Sequence, residues 1–569
     1  MRWIAGATKP RMFVWAGAIV IIAACFVAYI PAIKSGFIWD DDVYVTNNPL
    51  LTAPHGLYRI WFAMFDSPAQ YVPFVYTTIC TIFWIEHQLW GFNPMGYHAV
   101  NVAIHITNAL LLWLVLRRLS IPGAWFASAV FALHPVQVES VAWITELKNT
   151  LMFFFLLLSV LCWMEFALFQ RSGRKAYVYS LLLYALALFS KTTACMFPAV
   201  IIFILWFKRR PLTAKRWLQA VPFVAIGIGM GLMAMWREKR LGTGDLNLGL
   251  GLADKFLIAG RALWFYICKL FWPTNLTFSY SRWHIDPTEI WQYAWPVAFL
   301  LVLAIAYLWR KRLGLAPLAA LLFFALILFP MLGFFSLYTF VYTFAADHYQ
   351  YVACIGPIAL VAAGGERISR RLGTSGRIVI FSAAGILLLT LGVLTWRQSR
   401  IYANEQTLWS DTLNKNPDSW LAHTRIMAEL LGQGKLEDAK YHAEQKIKLS
   451  SYTKAIKPSI YAAGYTKLAN IYEAQGKLDY AVKYYQQSLE IDDNSSFTHF
   501  GLAAVLDKQG NYEMAKLHLR RVVEIAKAEK IEGLAEYCIQ VLNSIEEKRK
   551  YPNNQKPLQP YIRPDYPEQ

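Results

Sequence analysis

Charge is scarce in this sequence. Asp, Glu, Lys and Arg make up 16% of its 569 residues, against 56% hydrophobic and 15% aromatic, which excludes an ordinary soluble globule of this length. Its seven cysteines never stand as C-x-x-C; six lie in or beside apolar runs and Cys538 is alone near the end, so neither a disulfide framework nor a zinc site is indicated. Acidic residues are the scarcer sign, leaving a formal charge of +18. The Lys and Arg nevertheless gather in short loops between apolar runs, which marks cytoplasmic membrane flanks and implies no nucleic-acid partner. The first apolar run, about Met12 to Ile33, lacks a convincing small-residue cleavage site and is expected to remain as an anchor with its N-terminal side cytoplasmic.

What is present is a series of apolar runs whose inner ends carry cations. Residues 97–116 end in Arg117-Arg118, 292–309 in Arg310-Lys311-Arg312, and 350–364 lead to Arg367, Arg370 and Arg371. Taking each cation cluster as an inner end, the expected fold is all-α: a polytopic membrane helix bundle of about eleven spans over residues 1–400. Residues 50–95, including Y-V-P-F-V-Y-T-T-I-C, are expected on the outer membrane surface. The apolar helix 257–272 is expected to be re-entrant or interfacial, because the span after it must finish inside.

From about residue 403 the chain becomes polar and repetitive. G-K-L-D-Y-A at Gly476 recurs as G-N-Y-E-M-A at Gly510 and as G-K-L-E-D-A at Gly434. The spacing of 34, with Ala439, Ala481 and Ala515 at the helix crossing and Tyr465, Leu468 and Tyr472 in the second unit, is the tetratricopeptide pattern. Residues 401–550 are thus expected to form a soluble α-solenoid capped by helix 531–548, with an insertion of about eight residues after the first unit. The Pro-rich tail, 551–569, is expected to be extended. The solenoid's concavity offers a surface for an acceptor or partner protein.

The chemistry concentrates in Gly36 to Pro49, G-F-I-W-D-D-D-V-Y-V-T-N-N-P, where three carboxylates follow the first apolar run. Ionisable groups at a membrane boundary are costly to desolvate, so Asp40, Asp41 and Asp42 form either a hydrated loop or a site held by partners. Residues at the same outer helix ends can join them. H-P-V-Q-V-E-S supplies His134 and Glu139, with Glu146 and Lys148 following; His134 can equally cap a helix end and Glu139 be a solvated loop residue. Lys191, in a short turn between apolar helices, would seek a carboxylate or a phosphate, or snorkel. Arg261 and Lys269 are eight apart on one helical face, suiting an anionic lipid phosphate or plain bilayer headgroups. A-A-D-H-Y-Q-Y supplies Asp347 and His348. His98 and His105 share a face with Asn101 and Asn108 and read as interhelical hydrogen-bonding groups.

Carboxylates as bases and cations as phosphate ligands, beside a helix that admits lipid, fit transfer of a group from a lipid phosphate to a hydroxyl, with membrane lipids as neighbours. A single displacement would invert the anomeric carbon, since no covalent nucleophile is required. A divalent metal bridged by Asp40, Asp41 and His134 is not favoured, for want of a fixed ligand spacing. Two other classes remain: a non-enzymatic scaffold for surface-polymer assembly, and a lipid-linked glycan transporter, which would place charges at mid-membrane.

The ordered series F-x-W-D-D-x-x-Y-V-T-N-N-P, G-F-N-P-M-G-Y-H-A-V-N-V-x-x-H, F-A-L-H-P-V-Q-V-E-S-V-A-W and L-F-S-K resembles that of polytopic GT-C glycosyltransferases with C-terminal tetratricopeptide repeats. That group includes the transmembrane O-mannosyltransferases that target cadherins and their bacterial relatives. The resemblance implies a polyprenyl-phosphate sugar as donor, a protein or glycan hydroxyl as acceptor, and a periplasmic or lumenal site. It puts the paired acids on Asp40 and Asp41, with Asp42 as an extra acid. His348 stands where relatives often carry Arg in A-D-R-Y.

Overall fold

The computed structural model describes residues 11–62, 76–170, 173–240, 248–335, 337–529 and 531–550. The N-terminal Arg2 and Lys9, the stretch Y-V-P-F-V at 71–75 and the tail at 551–569 lie outside them. Two compact units result: Met1–Asp245 with Leu250–Phe278 and Arg282–Leu408, and Leu246–Gly249 with Ser279–Ser281 and Trp409–Gln569. Among the described residues both are helical throughout, without strands.

Among the described residues of the first unit, five helices are long and apolar enough to cross a membrane: Pro94–Arg118, Ile144–Phe169, Ala214–Trp236, Ile290–Leu308 and Thr374–Ala403. Four shorter apolar helices accompany them: Val14–Ala28, Ala124–Leu133, Thr192–Phe207 and Ala316–Met331. The chain is an integral membrane protein. Length and apolarity do not by themselves reach the expected eleven spans. The ten-residue helix Ala124–Leu133, for example, covers only about 15 Å at 1.5 Å per residue, half of a hydrocarbon core of about 30 Å.

The helix Pro94–Arg118 organises this unit through a polar seam. Asn101 Nδ2 donates to the carbonyls of Ser140 (3.5 Å) and Trp143 (3.3 Å), and its Oδ1 accepts from Thr150 Oγ1 at 2.6 Å. Asn108 Nδ2 donates to Thr150 O at 2.8 Å, and His105 Nδ1 lies 2.8 Å from the Tyr351 hydroxyl. Among apolar helices such bonds fix which faces meet. The seam positions the segment 140–150, on which the site is built.

The second unit repeats one device. Helix pairs Trp420–Gly432 with Leu436–Leu449, Pro458–Ala474 with Leu478–Ile491, and Ser496–Lys508 with Tyr512–Ala528 pack in succession. Each pair turns through a left-handed glycine, Gly434, Gly476 or Gly510, at φ 73°, 73° and 77°. Ala439, Ala481 and Ala515 are fully buried where the helices cross. The eight-residue offset before the second pair accommodates the extra turn Thr453–Ile456. Leu534, Ala535, Cys538, Val541 and Ile545 of the last helix, Glu532–Lys550, close the core.

No atom approaches within 4 Å of a Cβ built at Gly476 or Gly510, so substitution there costs backbone conformation alone. Gly476→Ala is expected to lower the stability of this unit by about 1 kcal/mol, and Gly476→Asn by less, because Asn tolerates the left-handed region. Limited proteolysis of the full chain over a temperature series measures both.

Candidate active site

The acidic turn is held from three sides. Trp39 takes a left-handed backbone, φ 51°, uncommon for a bulky residue and found where surroundings over-determine it. Its N–H donates to Glu405 Oε1 at 3.1 Å, and Gly36 N–H donates to Ala403 O at 2.9 Å. Asp41 is fully buried: its Oδ2 accepts from Ile38 N–H at 2.9 Å, and its Oδ1 from both the N–H (2.9 Å) and the hydroxyl (2.6 Å) of Thr145. Burial pushes its carboxyl up to about 8, against the opposing pull of the Thr145 hydroxyl.

Asp40 differs. Its side chain keeps 27% exposure, though Oδ1 itself is buried, and Oδ2 lies 3.8 Å from Lys148 Nζ. Burial raises its pKa; Lys148 and the Thr145 hydroxyl pull it back, and Glu146 and Asp42 push it further up. Lys148 is caged by rings, its ammonium 4.1 Å above Tyr44 and 4.9 Å from the Tyr76 centroid, a contact that holds a cation without consuming a carboxylate. Asp42 caps its own turn, its Oδ1 accepting from Val43 N–H at 2.7 Å.

A second buried pair lies alongside: Lys191 Nζ sits 3.1 Å from Glu146 Oε2, with exposures of 11% and 5%. Burial holds the Lys191 ammonium below its ordinary value, with Glu146 working the other way. A third pair joins Glu139 to His348. The His348 backbone N–H donates to Glu139 Oε2 at 2.9 Å, and Nδ1 lies 3.0 Å from Oε1, a contact distance out of line for a hydrogen bond. Asn149 Nδ2 holds the His348 carbonyl at 2.9 Å. Buried Asp347 precedes it.

Lys191, His348, Asn149 and Tyr349 form one end of a groove of about 390 Å³. The groove continues past Phe153, Leu157, Ile204 and Leu360, and Lys208 and Arg367 also line it. Lys191 precedes the helix Phe197–Phe207 and Lys208 follows it, so the groove runs at least that helix's length, roughly 16 Å. An apolar slot headed by a few convergent polar groups is the usual form of a small-molecule site.

Three residues singled out from sequence lie elsewhere. His134 Nε2 donates to Leu270 O at 2.8 Å and Nδ1 accepts from Val136 N–H at 3.3 Å. It is a helix-end cap pushed down to about 4 by burial, with both nitrogens engaged by backbone. Arg261 stacks on Trp283 at 4.9 Å. Lys269 donates to the carbonyls of Thr274 (2.7 Å) and Asn275 (3.1 Å). Neither cation lines the groove; their shared helical face meets a loop instead. Thr145 and Asn149 were not singled out. Their signal is T-E-L-K-N, a polar insert directly before an apolar run.

The site and fold define a class: a helical membrane protein with a buried carboxylate cluster, an apolar groove and a tetratricopeptide solenoid. Residues 73–235 match the family described as dolichyl-phosphate-mannose-protein mannosyltransferase, and 461–528 match the tetratricopeptide repeat. A protein O-mannosyl-transferase of Caenorhabditis elegans is 25% identical over 454 residues, 76% of this chain and 62% of the relative. Protein O-mannosyl-transferase TMTC2 of Mus musculus is 30% identical over 145 residues, 24% of this chain and 17% of its own. The chain thus spans less than two thirds of the length of these relatives. The crystal structure of ArnT from Cupriavidus metallidurans bound to undecaprenyl phosphate aligns over 84% of this chain and 80% of its own, at 12% identity and a TM-score of 0.32, too loose a likeness to carry function.

Proposed function

We propose that the chain is a membrane glycosyltransferase that moves a sugar, with inversion, from a polyprenyl-phosphate carrier to a hydroxyl of a protein or glycan acceptor. Asp40 is the general base, and the groove headed by Lys191 and His348 receives the carrier. The observation that carries this reading is the asymmetry of the paired acids. Asp41 has every oxygen engaged, whereas the Asp40 side chain keeps 27% exposure, with its Oδ2 3.8 Å from a fixed cation. The mannosyltransferase family match over 73–235 and the naming of the relatives support the class of reaction.

In that reaction the acceptor oxygen attacks the anomeric carbon as its proton passes to Asp40. The bond from that carbon to the phosphate oxygen breaks, and the phosphate leaves with both electrons. Lys191 and His348 face the charge that grows there. Asp41 positions the turn. Cation placement supports a site on the non-cytoplasmic side, and the repeats would recruit the acceptor or a partner protein.

Sugar transfer in membranes from a panel of radiolabelled polyprenyl-phosphate sugars, mannose first, tests the reading. Transfer from one donor to a hydroxyl acceptor with inverted configuration is expected. Absence of transfer from every donor would return the chain to the scaffold class.

A further inference from the structure

Asp40 sits at the corner of a turn that closes on itself. Asp41 N–H donates to Ile38 O at 3.0 Å, and Ile38 N–H donates to Asp41 Oδ2 at 2.9 Å, so Trp39 and Asp40 are the two central residues. Trp39 holds the first of these positions at φ 51°, a left-handed conformation that turns of this kind give to Gly, Asn or Asp. A large aromatic residue keeps such a backbone only while its surroundings hold it there. Glu405 does so from 366 residues away, its Oε1 accepting the Trp39 N–H at 3.1 Å. Resting on the base assignment above, we infer that Glu405 is a positioning residue for the reaction: by holding the Trp39 N–H it keeps the acidic turn in the conformation that presents the Asp40 carboxylate.

Glu405 is not spent on its own helix. It opens the helix Glu405–Lys415, whose start is capped by Asn404, the Asn404 Oδ1 accepting from the N–H (2.9 Å) and the hydroxyl (3.0 Å) of Thr407. Two residues upstream, Ala403 O accepts the Gly36 N–H at 2.9 Å. The segment 403–405 therefore grips the approach to the turn at two points, Gly36 and Trp39. Tyr402 adds to the same support, its ring 6.3 Å from Phe278, which lies 6.1 Å from Trp39. Without the Glu405 carboxylate the Gly36 bond remains, but Trp39 relaxes toward negative φ and the peptide carrying Asp40 rotates with it. The base is still present and its direction is lost. The effect falls on the chemical step rather than on holding the donor, and what the position requires is an acceptor oxygen at the right reach rather than a charge.

The test is initial-rate transfer from polyprenyl-phosphate mannose by the full chain in detergent micelles, with donor binding, a thermal melt and amide hydrogen exchange over residues 38–44. The variants are Glu405→Ala, Glu405→Gln and Glu405→Asp, with Asp40→Asn as reference. Glu405→Ala is expected to lower kcat by about 10 to 10²-fold, the worth of misplacing a catalytic group by up to about 1 Å, with the donor KM and melting temperature near wild type and faster exchange at the Trp39 amide. Glu405→Gln keeps an acceptor oxygen at the same reach and is expected to recover most of the rate and of the protection. Glu405→Asp keeps the charge on a side chain one methylene shorter and is expected to stay impaired. Wild-type kcat or unchanged Trp39 exchange in Glu405→Ala, recovery in Glu405→Asp but not in Glu405→Gln, or a loss that follows the melting temperature in every variant would overturn the Glu405 inference. The base reading survives each of those results as long as Asp40→Asn loses its rate, and full transfer by Asp40→Asn overturns both.

Discussion

Asp40→Asn is expected to lower transfer by about 10² to 10⁴-fold, the usual worth of a positioned base, while donor binding stays at the wild-type value and the melting temperature falls only modestly. The structural reason is that the amide removes basicity, while Lys148, which loses its carboxylate at 3.8 Å, remains held by the Tyr44 and Tyr76 rings. Asp41→Asn is expected to behave in the opposite order. Its carboxylate accepts three donors, and an amide nitrogen facing Ile38 N–H would set donor against donor. A lost buried hydrogen bond of this kind costs about 1 to 3 kcal/mol. Its melting temperature should therefore fall first, and activity with it only as the acidic turn loosens. Equal loss of rate in both at unchanged stability would contradict the assignment of Asp40.

The pH profile separates the same roles. The base must be ionised, so the rate falls as pH falls through the Asp40 value. Burial holds that value above the ordinary carboxylate range near 4, which displaces the acid limb upward. Lys148 pulls the value down, so Lys148→Met is expected to move the limb higher still. Initial rates at saturating donor across pH 4.5 to 8 measure both positions.

How much of this could be read beforehand varies with how far apart the partners lie in the chain. The repeats were legible because their signals are local: a glycine at each left-handed turn and an alanine at each crossing recur at fixed spacing. The acidic stretch and the helix-end polar groups were legible as candidates for the same reason. The pairings were not. Thr145 reaches Asp41 across 104 residues and Lys191 reaches Glu146 across 45, and only the packing of helices decides such meetings. Arg261 and Lys269 show the limit from the other side. Their spacing fixes one helical face correctly, but spacing says nothing about what covers that face, which is Trp283 and the loop at 274–275. His134 was legible as a cap before Pro135, and that local reading describes its bonds.

The Glu146 and Lys191 pair makes the second large prediction, because its structural and functional roles give opposite results in one experiment. Both side chains are nearly inaccessible, and breaking such a pair from one side leaves an uncompensated buried charge, about 3 to 5 kcal/mol. Glu146→Gln and Lys191→Met should each lower the melting temperature sharply in detergent. The double variant should recover most of that loss, since a neutral pair of similar volume leaves no charge without a partner. Donor binding should not recover with it. If Lys191 meets the donor phosphate, the double variant is stable yet binds polyprenyl-phosphate mannose weakly, whereas a purely structural pair would restore stability and affinity together. The ion pair then has a second reading. In the empty groove Glu146 holds the Lys191 ammonium in place, and the arriving phosphate shares a cation whose burial has already been offset.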